Sequence, residues 1–233
     1  MHLAVLMTNT DESAFAQRHP KDGEKFSSLI HSVRPDWTLA CFSAKDGQFP
    51  KDISAFDGVM ITGSPASVLE PEPWIAQLLD QIRIAHAAHV PLFGACFGHQ
   101  AIALALGGRV ERNPAGWGFG LIEMTVINRP AWFEGGDRLV QYGAHVDHVT
   151  ALPTGATQVF ATAHAQNAGF VIGDHVYTTQ NHPEMTHEFI TALIEEYATK
   201  MDADVVDAAR KSLVRRADTL VFAHSIAAFF ETT

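Results

Sequence analysis

Apolar residues in the first part of the chain follow two alternating rhythms. Short unbroken apolar runs at Leu3–Met7, Trp37–Phe42, Gly58–Ile61 and Pro91–Ala95 have the length of buried strands. Between them the apolar positions recur at helical spacing. Phe26, Leu29, Ile30 and Val33 mark a helix over Asp22–Val33, and Ile75, Leu78, Leu79, Ile82 and Ala85 mark one over Glu72–His89. Cys96–Leu106 is rich in Ala and Leu and is closed by Gly107 and Gly108, a helix stop signal. This alternation predicts a parallel sheet covered by helices.

From Arg109 to Gln180 the pattern changes to several short strands. Turns are expected at Gly116, Gly135-Gly136, Pro153-Thr154-Gly155 and Gly173, with a plain strand at Asp137–Tyr142. The sheet should be partly antiparallel there. Thr186–Phe230 predicts two or three amphipathic helices, with Val205, Val206, Ala209, Leu213, Val214 and Ala217 on one apolar face. No linker rich in Pro, Gly or Ser divides these parts. The expected fold is therefore α/β: one domain over residues 1–233, a central mixed, mostly parallel sheet with flanking helices, and a C-terminal helical extension over about 186–233.

Composition narrows the partners. Hydrophobic residues make up 47% of the 233 and charged residues 18%, which is globular and not disordered. The net charge is −10 and no run of Lys or Arg occurs, which argues against nucleic acid and anionic membrane as partners. The N-terminus lacks a basic leader region, and no apolar stretch approaches the ~18 residues of a membrane span. Of two cysteines, Cys41 is expected in a buried strand and Cys96 in a Gly-rich turn; this is no disulfide framework. The expectation is a soluble, cytoplasmic protein.

The chemistry concentrates in Pro91-Leu92-Phe93-Gly94-Ala95-Cys96-Phe97-Gly98-His99-Gln100. An apolar strand, G-x-C-x-G and a helix in succession form the cysteine version of a nucleophile elbow. Two glycines at a fixed offset occur by chance at only ~0.5% of positions. Cys96 would stand at a helix N-terminus, where partial positive charge favours the thiolate. The backbone N–H of Phe97 would face an oxyanion formed over the sulfur. A nucleophilic Cys needs a base, and Gln180-Asn181-His182-Pro183-Glu184 offers one. His182 would sit where a strand ends, with Glu184 placed to orient its imidazole.

These segments resemble the class I glutamine amidotransferase family, whose signatures are G-x-C-x-G-x-Q and Q-x-H-P-E. Two further segments fit its pattern: Thr62-Gly63-Ser64-Pro65, with Ser for the second Gly of G-G-P, and His145-Val146-Asp147-His148-Val149. The likeness runs over roughly residues 55–190. It implies a flavodoxin-like sheet, Cys96 as nucleophile, His182 as general base and acid, and Glu184 as orienting carboxylate. It also implies an oxyanion hole from the N–H groups of Ser64 and Phe97, and a glutamyl pocket lined by Gly63, Gln100, His145, Val146 and Asp147. Ser64 carries a Cβ, so it fits only where φ is not strongly positive.

GMP-synthetase-type amidotransferases and γ-glutamyl peptidases look nearest within the family. Glutamine or another γ-glutamyl small molecule is the implied substrate, with no cofactor. About 49 residues follow Glu184, too few for a synthetase module. The expectation is a stand-alone hydrolase, alone or as a homo-oligomer, or a subunit served by a separate synthetase chain. A non-catalytic binding protein on this fold is the competing reading. Thirteen histidines raise the question of a metal. The pairs His86/His89 and His145/His148 lack a third ligand at suitable spacing, so no metal is called for. Gly116-Trp117-Gly118-Phe119-Gly120 lacks the Lys of a phosphate loop and reads equally as a surface turn or a loop beside the pocket.

Overall fold

The computed structural model describes residues 1–232. Five parallel strands form half of a nine-stranded sheet: β1 (His2–Met7), β2 (Thr38–Ser43), β3 (Gly58–Ile61), β4 (Leu92–Ala95) and β11 (Val176–Thr179). The other half is β6 (Gly118–Val126), β7 (Arg138–His145), β9 (Ala156–Thr162) and β10 (Gly169–Ile172). The order is β2-β1-β3-β4-β11-β10-β9-β6-β7. Pairing is parallel from β2 to β11 and antiparallel from β11 to β7. A separate two-stranded ribbon joins β5 (Arg109–Arg112) to β8 (Asp147–Ala151). The mixed, mostly parallel sheet read from the apolar runs is therefore present, and the switch to antiparallel pairing falls in the region of short strands.

Side chains alternate across the sheet as a strand's two-residue period requires. Leu3 and Val5 of β1 enter one core, and Ala4 and Leu6 enter the other. The second core is capped by α3 (Pro73–Ala87) and α4 (Phe97–Ala105). The first is capped by α2 (Asp22–His31) and by α7 (Thr219–Glu231). Helix α7 puts Phe222, Ala223, Ile226, Ala227, Phe229 and Phe230 against the sheet, a stripe at helical spacing. Phe222 meets Phe160 at 5.6 Å and Phe229 meets Tyr177 at 5.7 Å between ring centres. The C-terminal apolar face is thus buried on the chain's own sheet. A third cluster joins α5 (His187–Tyr197) and α6 (Ala203–Ser212) to Tyr142 of β7. The short α1 (Ala14–Gln17) lies between β1 and α2.

Two expectations need correction. The apolar face read through Val214 and Ala217 holds at Leu213 and Ala217, which pack on the third cluster, but not at Val214. Helix α6 stops at Ser212, and Val214, beyond it, is 86% exposed. Cys41 is exposed, not buried, because β2 is the edge of the sheet. The apolar run there reflects strand preference more than full burial.

The two C-terminal positions should differ sharply in urea titrations. Phe222→Ala is expected to cost about 3–5 kcal/mol, the price of emptying a packed aromatic site. Val214→Ala should stay within about 0.5 kcal/mol. Equal losses would contradict the docking of α7 on the sheet.

Candidate active site

Cys96 lies between the last residue of β4 and the first of α4, with φ 52° and ψ −106°. Among the described residues only Cys96 and His89 combine a side chain with positive φ. Such a conformation costs about 1–3 kcal/mol and persists only where the surroundings enforce it. Here they do. The Cys96 N–H donates to the Thr179 carbonyl at 2.9 Å, and the Cys96 carbonyl accepts from Gln100 N–H at 3.1 Å. A Cβ on Gly98 would lie 2.4 Å from the Ile61 carbonyl oxygen, and one on Gly94 would lie 2.6 Å from Gly98. Only glycine lets α4 start this close to β3 and β4.

Strand β11 supplies the rest. It pairs in parallel with β4, Thr179 opposite Ala95, so Gln180–Glu184 emerge beside Cys96. The His182 N–H donates to the Tyr142 carbonyl at 2.8 Å. Its Nδ1 is 2.8 Å from Glu184 Oε1, and both residues are buried. Burial alone would push the His182 imidazole down. The electrostatic pull of Cys96 and Glu184, with the hydrogen bond to Glu184, outweighs it and holds the imidazole well above its ordinary range. Among the described residues Nε2 has no hydrogen-bond partner; the sulfur acts on it through charge. The Nε2 amide of Gln180 reaches Cys96 Sγ at 3.9 Å.

One cavity of about 670 Å³ gathers Cys96, His182 and Glu184 with Gly63, Ser64, Gln100, His145, Val146 and Asp147. Phe97 is the exception. Its ring is buried against Trp74 at 5.5 Å, so only its backbone is available. As the first residue of α4, its N–H has no intrahelical acceptor. Ser64 does not have positive φ, so its Cβ brings no backbone strain. Gly63 could not be replaced in the same way, since a Cβ there would sit 2.6 Å from His182 Cε1. Gln100 is engaged within the chain: its Nε2 donates to the Asp147 carbonyl at 2.8 Å. Ser67 Oγ in turn donates to Asp147 Oδ2 at 2.6 Å. Trp117 and Phe119 of the glycine-rich segment also line the cavity, which puts it on the pocket side, although from Gly118 onward it is strand β6 and not a loop.

Comparison with known proteins places the chain in a family. Residues 37–198 match the Glutamine amidotransferase class-I family. The chain belongs to the class I glutamine amidotransferase family. It is 30% identical to γ-glutamyl peptidase 3 of Arabidopsis thaliana, across 81% of this chain and 79% of that protein. A putative glutamine amidotransferase of Saccharomyces cerevisiae is 33% identical across 68% of this chain and 66% of its own length. The fold is that of a solved glutamine amidotransferase from Thermotoga maritima, with a TM-score of 0.77 at 20% identity over 99% of this chain and 98% of that one.

In this amidotransferase-family chain the sequence reading passed over Asp22 and Lys25, which line the same cavity, and the Gln180 contact to sulfur. Nothing in the spacing of Asp22 and Lys25 announced them, because a distant segment carries them to the strand ends. Gln180 stood inside a recognised motif, and its contact with Cys96 depends on the β4–β11 pairing. Away from the cavity, His86 and His89 both stack on His175, at 4.8 and 4.6 Å between ring centres. Among the described residues no three His, Cys, Asp or Glu side chains are arranged to hold a metal ion, and no helix is long and apolar enough to cross a membrane.

Two other buried imidazoles behave in the opposite way to His182. Burial lowers His99 and His145 to about 3. The folded protein then refuses protons that the unfolded chain accepts near the ordinary histidine value. Stability should fall as pH drops from about 6.5 toward about 3, by about 1.4 kcal/mol per pH unit for each of the two. Urea titrations between pH 7 and 5 check this, and His99→Gln should remove one proton from the slope. A slope unchanged by that substitution would show that His99 takes up its proton in the folded state.

Proposed function

We propose that this protein hydrolyses γ-glutamyl amide bonds through a thioester on Cys96. The observation that carries the reading is the strained Cys96 turn facing the His182–Glu184 pair across one cavity. A thiolate held beside an imidazolium attacks the γ-carbonyl carbon, and the N–H groups of Ser64 and Phe97 receive the negative oxygen. The tetrahedral intermediate collapses, and the C–N bond breaks as His182 passes its proton to the departing nitrogen. An amine leaves and an acyl-sulfur bond remains. Water then attacks with His182 as base, releasing glutamate and restoring the thiolate and imidazolium. Glu184 fixes the ring and stabilises its charge.

Glutamine and γ-glutamyl peptides share the acyl half that this chemistry reads. The relatives named γ-glutamyl peptidase, which this chain matches along most of their length, favour the second substrate class. A GMP synthase of Blochmanniella pennsylvanica matches over only 32% of its own length; a separate synthetase chain is the corresponding alternative for this protein. Burial of the α7 face on its own sheet supports activity without one. A purely binding protein would have no use for a strained cysteine lining the cavity.

Purified protein alone is expected to release glutamate from a γ-glutamyl compound. Inertness that is relieved only by adding a synthetase would reverse the reading. Cys96→Ser should abolish turnover. His182→Ala should lower kcat by about 10²–10⁴-fold with little change in KM, because proton transfer acts in the transition state. Glu184→Gln should cost less. A His182→Ala enzyme altered only in KM would remove His182 from the chemistry.

A glutamine-mimicking electrophile should label Cys96 in preference to Cys41. Although Cys41 is exposed, desolvation by its neighbours and the charge of Glu24 push its thiol up, away from the reactive thiolate. Peptide mapping that finds the label on Cys41 alone would contradict the assignment.

A further inference from the structure

The cavity does not end at His182. Its volume of about 670 Å³ falls in the range of ~300–1,000 Å³ that encloses drug-sized ligands, far more than ammonia release requires. His182 hands its proton to the departing nitrogen, so a leaving group larger than ammonia must extend to the His182–Glu184 side of Cys96. On that side the wall is made by the segment from Asn9 to Lys25 and by α5. Glu184 is near enough to Asp22 to raise its carboxyl electrostatically.

This lobe has an apolar wall and a cationic element. Phe15, His19 and Phe189 pack together, with ring centres 4.5 to 5.9 Å apart. Lys25 Nζ lies 3.7 Å over the Phe189 ring and 3.1 Å from Asp22 Oδ1, and the two charged side chains are only 10% and 7% exposed. Burying a charged pair in a cavity wall costs desolvation that an apolar wall would avoid. Burial pushes the Asp22 carboxyl up, and Lys25 opposes that shift. Lys21 lines the cavity one turn earlier. The acidic neighbours have partners of their own: Glu12 and Asp46 are both bound by Lys45, and Asp11 accepts from the Ser13 N–H. Lys21 Nζ has no ion pair within 4 Å among the described residues, although its charge reaches Asp46.

We propose that this lobe is a leaving-group site for an amino acid or short peptide, its apolar side chain against Phe15 and Phe189 and its free carboxylate on Lys21 and Lys25. The proposal rests on the γ-glutamyl hydrolase reading and narrows it to leaving groups that carry a carboxylate. The reaction is unchanged: water is added across the γ-amide, and the amino acid or peptide departs with the proton from His182.

Three probes test it: γ-glutamyl-phenylalanine, its carboxamide, and γ-glutamyl methylamide. The wild-type kcat/KM should be about tenfold or more higher for the acid than for either neutral probe, as expected for loss of a charge-assisted contact. Lys21→Met and Lys25→Met should bring the acid toward the carboxamide. Lys25→Arg should keep the preference, and it serves with Lys21→Met if Lys25→Met does not fold. Binding of the same probes to Cys96→Ala gives a readout independent of turnover. Equal hydrolysis of all three probes by the wild type overturns the lobe and leaves the hydrolase. A preference that survives in Lys21→Met and Lys25→Met also overturns it. If nothing is hydrolysed but Cys96→Ala binds the acid tenfold tighter than the carboxamide, the lobe stands and the hydrolase reading falls. With neither hydrolysis nor preference, both fall.

Discussion

The parallel pairing of β4 with β11 is the constraint on which the site depends. These strands are some eighty residues apart in sequence, yet Thr179 sits opposite Ala95, and the Thr179 carbonyl takes the N–H of Cys96. That single hydrogen bond ties the turn holding the sulfur to the strand end that delivers His182. A slip of one residue would reverse which side chains of β11 face each core. Tyr177 would leave the aromatic cluster with Phe93 and Phe229, and the Cys96 N–H would lose its acceptor. The strain at Cys96 is therefore supported by packing across the whole sheet. Gly94 and Gly98 complete the arrangement, because α4 must begin almost in contact with the backbone of Ile61.

This dependence explains what could be read from sequence. Gly94, Cys96 and Gly98 are local: one tight turn demands them, and the demand shows in five consecutive positions. His182 and Glu184 are two residues apart, so their contact is local as well. The joining of the two segments is not local: the need of a nucleophilic cysteine for a base suggested it, and the likeness to a known family strengthened it. The buried parallel strands were legible because their apolar runs are continuous. Edge position was not, since Thr38–Ser43 has the same strand-forming residues as an inner strand. That is why Cys41 was misplaced. The end of α6 was missed for a related reason: Leu213 and Val214 continue the helical rhythm after the helix has stopped.

The division between chemistry and recognition follows the fold. Strand ends and the first turn of α4 carry the sulfur, the imidazole and the candidate oxyanion donors, all held by the hydrogen-bond network of the sheet. The segment after β1 and helix α5 pack over them and shape the remaining volume. Connections of this kind tolerate change better than strands do, so the size and charge of the cavity can vary while the reacting atoms stay fixed. Lys25 and Asp22 belong to this outer layer. Their position at the start of α2 was invisible to any motif centred on Cys96.

Three buried imidazoles near this centre show why burial alone does not set a histidine's state. His99 and His145 lack an anionic partner, and desolvation drives both down to about 3. His182 is buried as well, but it touches Glu184 and lies beside the sulfur, and these negative groups reverse the effect. The cavity thus holds one imidazole favouring the charged form and another, His145, that stays neutral. Neither ring nitrogen of His145 has a hydrogen-bond partner among the described residues, so a ligand group could supply one. On the proposed mechanism these states are complementary. The charged ring keeps the thiolate beside it and has a proton ready for the leaving nitrogen. A second charged ring at His145 would compete for that thiolate and weaken the pairing, so the absence of a carboxylate beside His145 matters as much as the presence of Glu184 beside His182.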